Sequence, residues 1–553
     1  MRAFATLLDR LSFESRRKVK EELVADYLSR TPDPDRGYAL AALTGELSFR
    51  HAKPATLRAL IADRHDPHLF ALSYDFVGDL SETVALLWQT EHPPADKAGT
   101  DEASLSLSEV VETLDTARKS DVPELISGWL DCLDETGRWA LLKLVTGGLR
   151  VGVSARLAKM ALTRLGSLEV HEVEEVWHGH SPPYQELLAW AEGRAGPPAN
   201  TDPAPFRPPM LAHPLDEDKD VAGLNADDIF VEWKWDGIRI QAASGRSDDG
   251  DRIRRLYSRT GDDISKAFPD VVDMLEFDAT IDGELLIVSD GQIRPFSDLQ
   301  RRLNRKTAGS KLISELPAAI RVYDLLALEG EDLRALPFEA RRKKLETFID
   351  DLGRPEISLS QQVPVSDWSE IERARRSPAD FLASSDAAAV EGLMLKRKDA
   401  PYIAGRPKGF WYKWKREPFL VDAVLLYAQR GHGKRSSFYS DYTFGVWQDG
   451  AEGESLVPVG KAYFGFTDDE LREIDRFVRN NTINRFGPVR EVAHEPGHGL
   501  VLEVAFEGLN RSSRHKSGLA MRFPRISRLR WDKKPSDADR IEALQVLLNA
   551  TSV

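Results

Sequence analysis

Residues 231–240, VEWKWDGIRI, set a lysine between two carboxylates. In an extended strand side chains alternate, so Glu232, Lys234 and Asp236 share one face while Val231, Trp233 and Trp235 share the other. A lysine amine attacks an electrophile only when it is neutral, which burial or nearby positive charge favours and carboxylates oppose. Here a metal or a phosphate-facing basic cluster would have to offset Glu232 and Asp236. On this segment alone a second reading stays open: an ordinary strand with an exposed Glu–Lys–Asp face.

Other segments offer such offsetting groups. ATIDGELLIV (279–288) puts Asp282 and Glu284 on one strand face, and VEGLMLKR (390–397) supplies Glu391 followed by Lys396 and Arg397. FWYKWKR (410–416) sets Lys413 and Lys415 opposite Tyr412 and Trp414. One carboxylate from each of two strands can hold a hydrated Mg²⁺, which binds through one or two carboxylates plus substrate phosphates. Paired lysines on a neighbouring strand can grip an α-phosphate. Singly, each cluster reads as a salt-bridged surface; jointly they are not independent accidents.

The elements that must position these groups follow from periodicity. Through residues 1–192 apolar residues recur at helical spacing, as in FATLLDRL, VKEELVADYL, TVALLW, SLSEVVETLDTARK and ELLAWAEG. GRAGPPANTDPAPFRPP (193–209) is a linker by composition. Short strands and a helix, EARRKKLETFIDDL, then continue to about residue 416 and predict an α+β domain. The remainder reads as about five short strands with helices at DDELREIDRFVRNN and ADRIEALQVLLNA, which suggests a small OB-fold β-barrel. The expected division is 1–200, 201–416 and 417–553, in keeping with a chain of 553 residues.

Composition narrows the class. No run of eighteen apolar residues predicts a membrane span, and the N-terminus lacks a secretory h-region. Lone Cys132 fits a reducing cytoplasm, excludes a multi-cysteine zinc module and, in a helical pattern, is expected to be a buried structural thiol. A net charge of −14 does not exclude a nucleic-acid partner, because phosphate binding needs only local basic surface. Residues 393–416 carry eight Lys or Arg against the single acid Asp399, and 501–534 carry nine against three. Interleaved aromatics favour reading both runs as binding surfaces.

These segments resemble, in order, the motifs of the covalent nucleotidyltransferases: DNA ligases, RNA ligases and capping enzymes. KWDGIR (234–239) is similar to motif I, SRTGDDI (258–264) to motif Ia, IDGELL (281–286) to motif III and VYDLL (322–326) to motif IIIa. EGLMLKR (391–397) resembles motif IV, WYKWK (411–415) motif V and RFPRISRLRWDK (522–533) motif VI. The resemblance spans essentially the whole chain. It implies that Lys234 attacks the α-phosphate of ATP, that Glu232 lies near the adenine, and that Arg239 and Arg259 lie near ribose and phosphate. It also implies that Tyr323 stacks on the base, that Glu284 and Glu391 bind Mg²⁺ or Mn²⁺, and that Lys413 and Lys415 hold the α-phosphate. Arg525, Arg530, Asp532 and Lys533 would swing in with the barrel to orient pyrophosphate. Many relatives carry an arginine six residues before the first lysine of motif V; Pro407 stands there, which leaves Arg406 as the substitute.

Within that superfamily the sequence favours a DNA ligase of the bacterial and archaeal three-domain type. GGLRVGV (147–153) resembles the loop by which multi-domain DNA ligases meet the minor groove, which assigns Gly147, Gly148 and Arg150 to DNA; the alternative is a glycine turn between two core helices. NAD-dependent ligases carry a four-cysteine zinc module that a single cysteine cannot build, so ATP is expected. The expected partner is nicked duplex DNA and the expected state a monomer, cytoplasmic and nucleoid-associated. RGHGKRSS (430–437) imitates a P-loop, but Ala428 and Arg435 break the pattern, and a basic loop touching DNA is expected instead. The competing functions are an RNA ligase or capping enzyme, and a catalytically dead DNA-binding protein on a ligase fold. The dead-protein reading requires loss of the lysine or a metal carboxylate, and all are present.

Overall fold

The computed structural model describes residues 1–88, 105–199, 202–305, 307–430, 438–450, 453–512 and 515–551. The 431–437 part of the expected basic loop lies outside them. The chain forms two compact units: Met1–Pro208 with Gly245–Ile253, and Pro209–Ser244 with Arg254–Val553.

Among the described residues, 1–208 contain helices and no strand. Helices occupy the periodic segments, including Arg2–Phe13, Arg17–Arg30, Leu107–Thr116 and Gln185–Ala191. Their apolar stripes merge into one core that includes Leu8, Leu11, Val24, Leu28, Leu141 and Leu162. Helix Arg2–Phe13 packs on Glu135–Thr146, and Arg17–Arg30 on Ala155–Thr163. Cys132 departs from expectation: it is exposed. Its helix, Val122–Cys132, buries Val122, Ile126 and Leu130, so a residue two beyond Leu130 turns away from the core.

The second unit is built on three main sheets. A four-stranded sheet orders His213–Pro214, Trp411–Lys415, Val390–Arg397 and Ile229–Trp235. A seven-stranded sheet centres on Ile238–Arg246, Ala279–Ser289 and Ala318–Leu328. Each has its own apolar cluster, one with Trp233, Trp235 and Trp414, the other with Ile240, Ile281 and Ile320. Asp236 and Gly237 form the step from the first sheet to the second, so the chain changes sheets just after Lys234.

Residues 419–529 form another seven-stranded sheet around a core with Leu425, Phe444, Leu502 and Ile526. The count exceeds the expected five because the hairpin Thr482–Phe486 and Val489–Val492 is largely solvent-facing and carries no apolar alternation. Helices Asp468–Asn480 and Ile541–Thr551 contribute Leu471, Ile474 and Leu544 to this core. No helix among the described residues is long and apolar enough to cross a membrane.

Candidate active site

Strand pairing brings three motifs together. Gly392 lies opposite Lys234 on one side and Lys415 on the other, and Met394 lies between Glu232 and Lys413. The ladder slips between Val390 and Gly392, and this bulge aims Glu391 at Lys234. Gly392 adopts φ 146°, and a Cβ there would strike the Trp414 carbonyl. The glycine after Glu391 is therefore required by the close approach of the Trp411–Lys415 strand.

Lys234 Nζ donates to Glu391 Oε2 at 2.7 Å. Burial opposes the lysine charge, but Glu391, Glu284 and Asp236 outweigh it and hold the ammonium above its ordinary range. Burial likewise opposes ionisation of Glu391, yet Lys234 and Lys415 bring that carboxyl down to about 2. Glu284 lies opposite Arg239 on the adjoining sheet and has no ion pair among the described residues. Burial pushes its carboxyl up to about 8, against the pull of Lys234 and Arg239. Glu391, Glu284 and Asp236 thus surround one ammonium; Lys415 also reaches Glu391 at 3.5 Å and Arg522 pairs with Asp236, which leaves Glu284 as the acid without an ion pair among the described residues.

The opposite imbalance lies beside it. Burial, then Arg406, Lys234, Lys415 and Arg259, lower Lys413. Burial, then Arg239 and Arg406, lower Arg259. None of Arg259, Arg406 and Lys413 forms an ion pair among the described residues. Repelling cations beside Glu284, an acid likewise without an ion pair among those residues, suit a substrate that carries phosphates and a divalent cation. Among the described residues no three His, Cys, Asp or Glu are grouped to hold a metal by themselves. Glu284 and Glu391 fit the Mg²⁺ pattern, in which one or two carboxylates and phosphates share the ion.

Other assigned residues are tied into networks. Arg239 donates to both Asp282 oxygens at 3.0 and 2.6 Å, to the Met210 carbonyl at 2.7 Å and to Tyr402 Oη at 3.1 Å. Glu232 is buried between Lys396, at 2.7 Å, and Arg342, at 3.1 Å. The Lys396 ammonium also sits 4.6 Å from the Tyr323 ring centroid, so the basic run at 393–416 is not one exposed face. Within it Lys396 is buried and Arg397 pairs with Asp399.

The C-terminal motif is split. Arg525 pairs with Glu507 at 2.9 Å, and Glu507 reaches Lys415 at 3.5 Å. Arg530 and Lys533 instead pair with Asp422, and Asp532 pairs with Arg530, so these three are not brought to Lys234. Gly147, Gly148 and Arg150 belong to the helical unit, where Gly147 ends helix Glu135–Thr146 and Arg150 is exposed. Asp236 and Arg522 went unassigned in the sequence, yet Arg522 forks onto Asp236, with one contact at 3.0 Å. Asp236 lies in the segment resembling motif I and Arg522 opens the one resembling motif VI, but nothing in either segment links the two.

Family models for ATP-dependent DNA ligases match three segments: the N terminus over residues 1–163, the ATP-dependent ligase domain over 209–415 and the C-terminal region over 435–533. A Korarchaeum cryptofilum protein named "DNA ligase 1" is 30% identical over 99% of this chain and 97% of its own length. A "Probable DNA ligase" of Koribacter versatilis is 35% identical over 73% of this chain and 70% of its own. The solved structure titled "Pmar-Lig_PreS3" covers 95% of this chain and 99% of its own, at 14% identity and a TM-score of 0.50, a likeness of fold.

Proposed function

The chain belongs to the ATP-dependent DNA ligases, and from that membership and the site geometry we propose that it seals nicks in duplex DNA through AMP carried on Lys234. The observation that carries this reading is the unpaired cationic rim of Arg259, Arg406 and Lys413 beside a lysine held by Glu391.

Lys234 Nζ forms a bond to the α-phosphorus of ATP as the bond to the pyrophosphate oxygen breaks. DNA's 5′-phosphate then takes the AMP, and the adjacent 3′-hydroxyl displaces it to close the strand. All three steps are phosphoryl transfers, so position and charge neutralisation supply most of the acceleration. Lys413, Lys415, Arg259 and Arg406 bear on the phosphates; Arg239 and Tyr323 line the nucleoside end, and Glu232 is assigned near the adenine. Lys234 must first shed its proton, which the cationic rim favours and Glu391 resists. Glu284 and Glu391 would hold Mg²⁺ or Mn²⁺, which supplies Lewis-acid charge at phosphate oxygens.

Arg525, Arg530, Asp532 and Lys533 are assigned to pyrophosphate in a second arrangement of the C-terminal domain, since in this one three of them are committed to one another and to Asp422. The three-part division into an all-α DNA-binding domain (1–200), an adenylation domain (201–416) and an OB-fold domain (417–553) is supported by separate apolar cores. Gly147, Gly148 and Arg150 are read as contacts to the duplex, and one monomer as sufficient for one nick.

A pre-adenylated nick separates the steps. We expect Lys234→Ala to close such a nick without ATP while failing on an ordinary 5′-phosphate nick. Closure of the ordinary nick by this variant would refute the assignment.

A further inference from the structure

The turn at residues 147–152 is shaped from a distant helix. Lys20, on helix Arg17–Arg30, is buried, and its ammonium donates to the main-chain carbonyl of Val151. A buried ammonium without a carboxylate is costly, and among the described residues Lys20 has no ion pair. Burial lowers its pKa and only Glu14 opposes that. An apolar side chain would pack here at less cost, so the charge needs another explanation.

The turn supplies one. Arg150, a non-glycine residue, adopts φ 52°, with Gly147 at 70° and Gly152 at 68°. Left-handed backbone at a residue with a Cβ persists only where surroundings enforce it. The Val151 carbonyl, directly after Arg150, is the point at which Lys20 holds the turn. A Cβ on Gly152 would collide with Lys20 Nζ, so ammonium and backbone are fitted closely. The turn runs into helix Ala155–Thr163, which has no acidic residue in its first turn. Its outer surface is left to Arg150 and the exposed glycines.

We propose that Lys20 is a positioning residue for DNA binding: anchored on the Val151 carbonyl, it holds residues 147–152 in the shape that presents Arg150 to a DNA phosphate. This rests on the reading of that turn as a DNA contact.

The test is the affinity of the full chain for a nicked duplex with EDTA present, across Lys20→Met, Lys20→Arg, Arg150→Ala and the Lys20→Met/Arg150→Ala double variant. Lys20→Met should weaken binding about tenfold, the effect of losing one charge-assisted hydrogen bond. Lys20→Arg should recover most of the loss. The double variant should bind no more weakly than Arg150→Ala, because both act through one contact. Label incorporation at Lys234 from ATP should stay at the wild-type level in Lys20→Met. If Lys20→Met does not fold, Lys20→Gln, uncharged and shorter, should give the same loss. Normal affinity in Lys20→Met with weakened Arg150→Ala would overturn the positioning role and leave the DNA-contact reading standing. Independent, multiplying losses would overturn it equally. Normal affinity in Arg150→Ala would remove the DNA-contact reading, and the positioning role with it.

Discussion

Arg522 of the C-terminal domain grips Asp236, two residues beyond Lys234 and 286 residues away in sequence. Its guanidinium also lies 4.9 Å from the Phe296 ring. Together with Glu507 on Lys415, this ion pair fastens the C-terminal domain to the turn that follows the nucleophile's strand. Both side chains are about four-fifths buried, with 19% and 18% exposure, so loss of either leaves a largely desolvated charge.

Arg522→Ala and Asp236→Asn should each reduce nick sealing by roughly a hundredfold, the equivalent of about 3 kcal/mol. Their combination should cost little more than either alone. Steady-state sealing of a labelled nick reads this, and full multiplication of the two losses would show that the pair does not act as a unit.

The phosphate rim makes a prediction about protons. Lys413 is held below its ordinary range by burial and by Arg406, Lys234, Lys415 and Arg259. A bound triphosphate turns that surrounding repulsion into attraction and raises it. Nucleotide binding then takes up protons: affinity is full below the free-state Lys413 value and falls as pH rises through it. Calorimetry in buffers of different ionisation heat should detect the uptake. Lys413→Arg, which does not titrate, should abolish it; unchanged uptake in that variant would contradict the assignment.

Glu232 and Lys396 make a prediction about stability. The pair is buried at 2.7 Å, with 1% exposure on each side, and Arg342 adds a second contact to Glu232. Lys396→Met should destabilise the second unit by about 1–3 kcal/mol, since Arg342 alone then neutralises the buried carboxylate. Adding Glu232→Gln should return part of that loss. Thermal unfolding by calorimetry measures both, and equal stability of Lys396→Met and wild type would disprove a buried charge pair.

Strand alternation made the core of the site legible. Lys234 and Glu232 face away from Trp233 and Trp235 as a two-residue period requires, and Lys413 and Lys415 stand opposite Tyr412 and Trp414 for the same reason. Long-range pairing was not legible. Nothing local links Asp236 to Arg522, or Glu232 to Arg342, because those contacts depend on how separate elements pack. Arg239 matched a motif, but its four hydrogen bonds to Asp282, Met210 and Tyr402 required the fold. A charge run was a poor guide in itself: the same composition covers buried Lys396 and the unpaired Lys413.

AMP transfer through Lys234 is tested by incubating the protein with Mg²⁺ and ATP labelled on its α-phosphate, isolating it, and adding nicked duplex DNA. One label per molecule is expected, attached at Lys234, absent from Lys234→Ala and released as AMP when the nick closes. Label on another residue, or sealing by protein that never acquires label, would contradict transfer through Lys234.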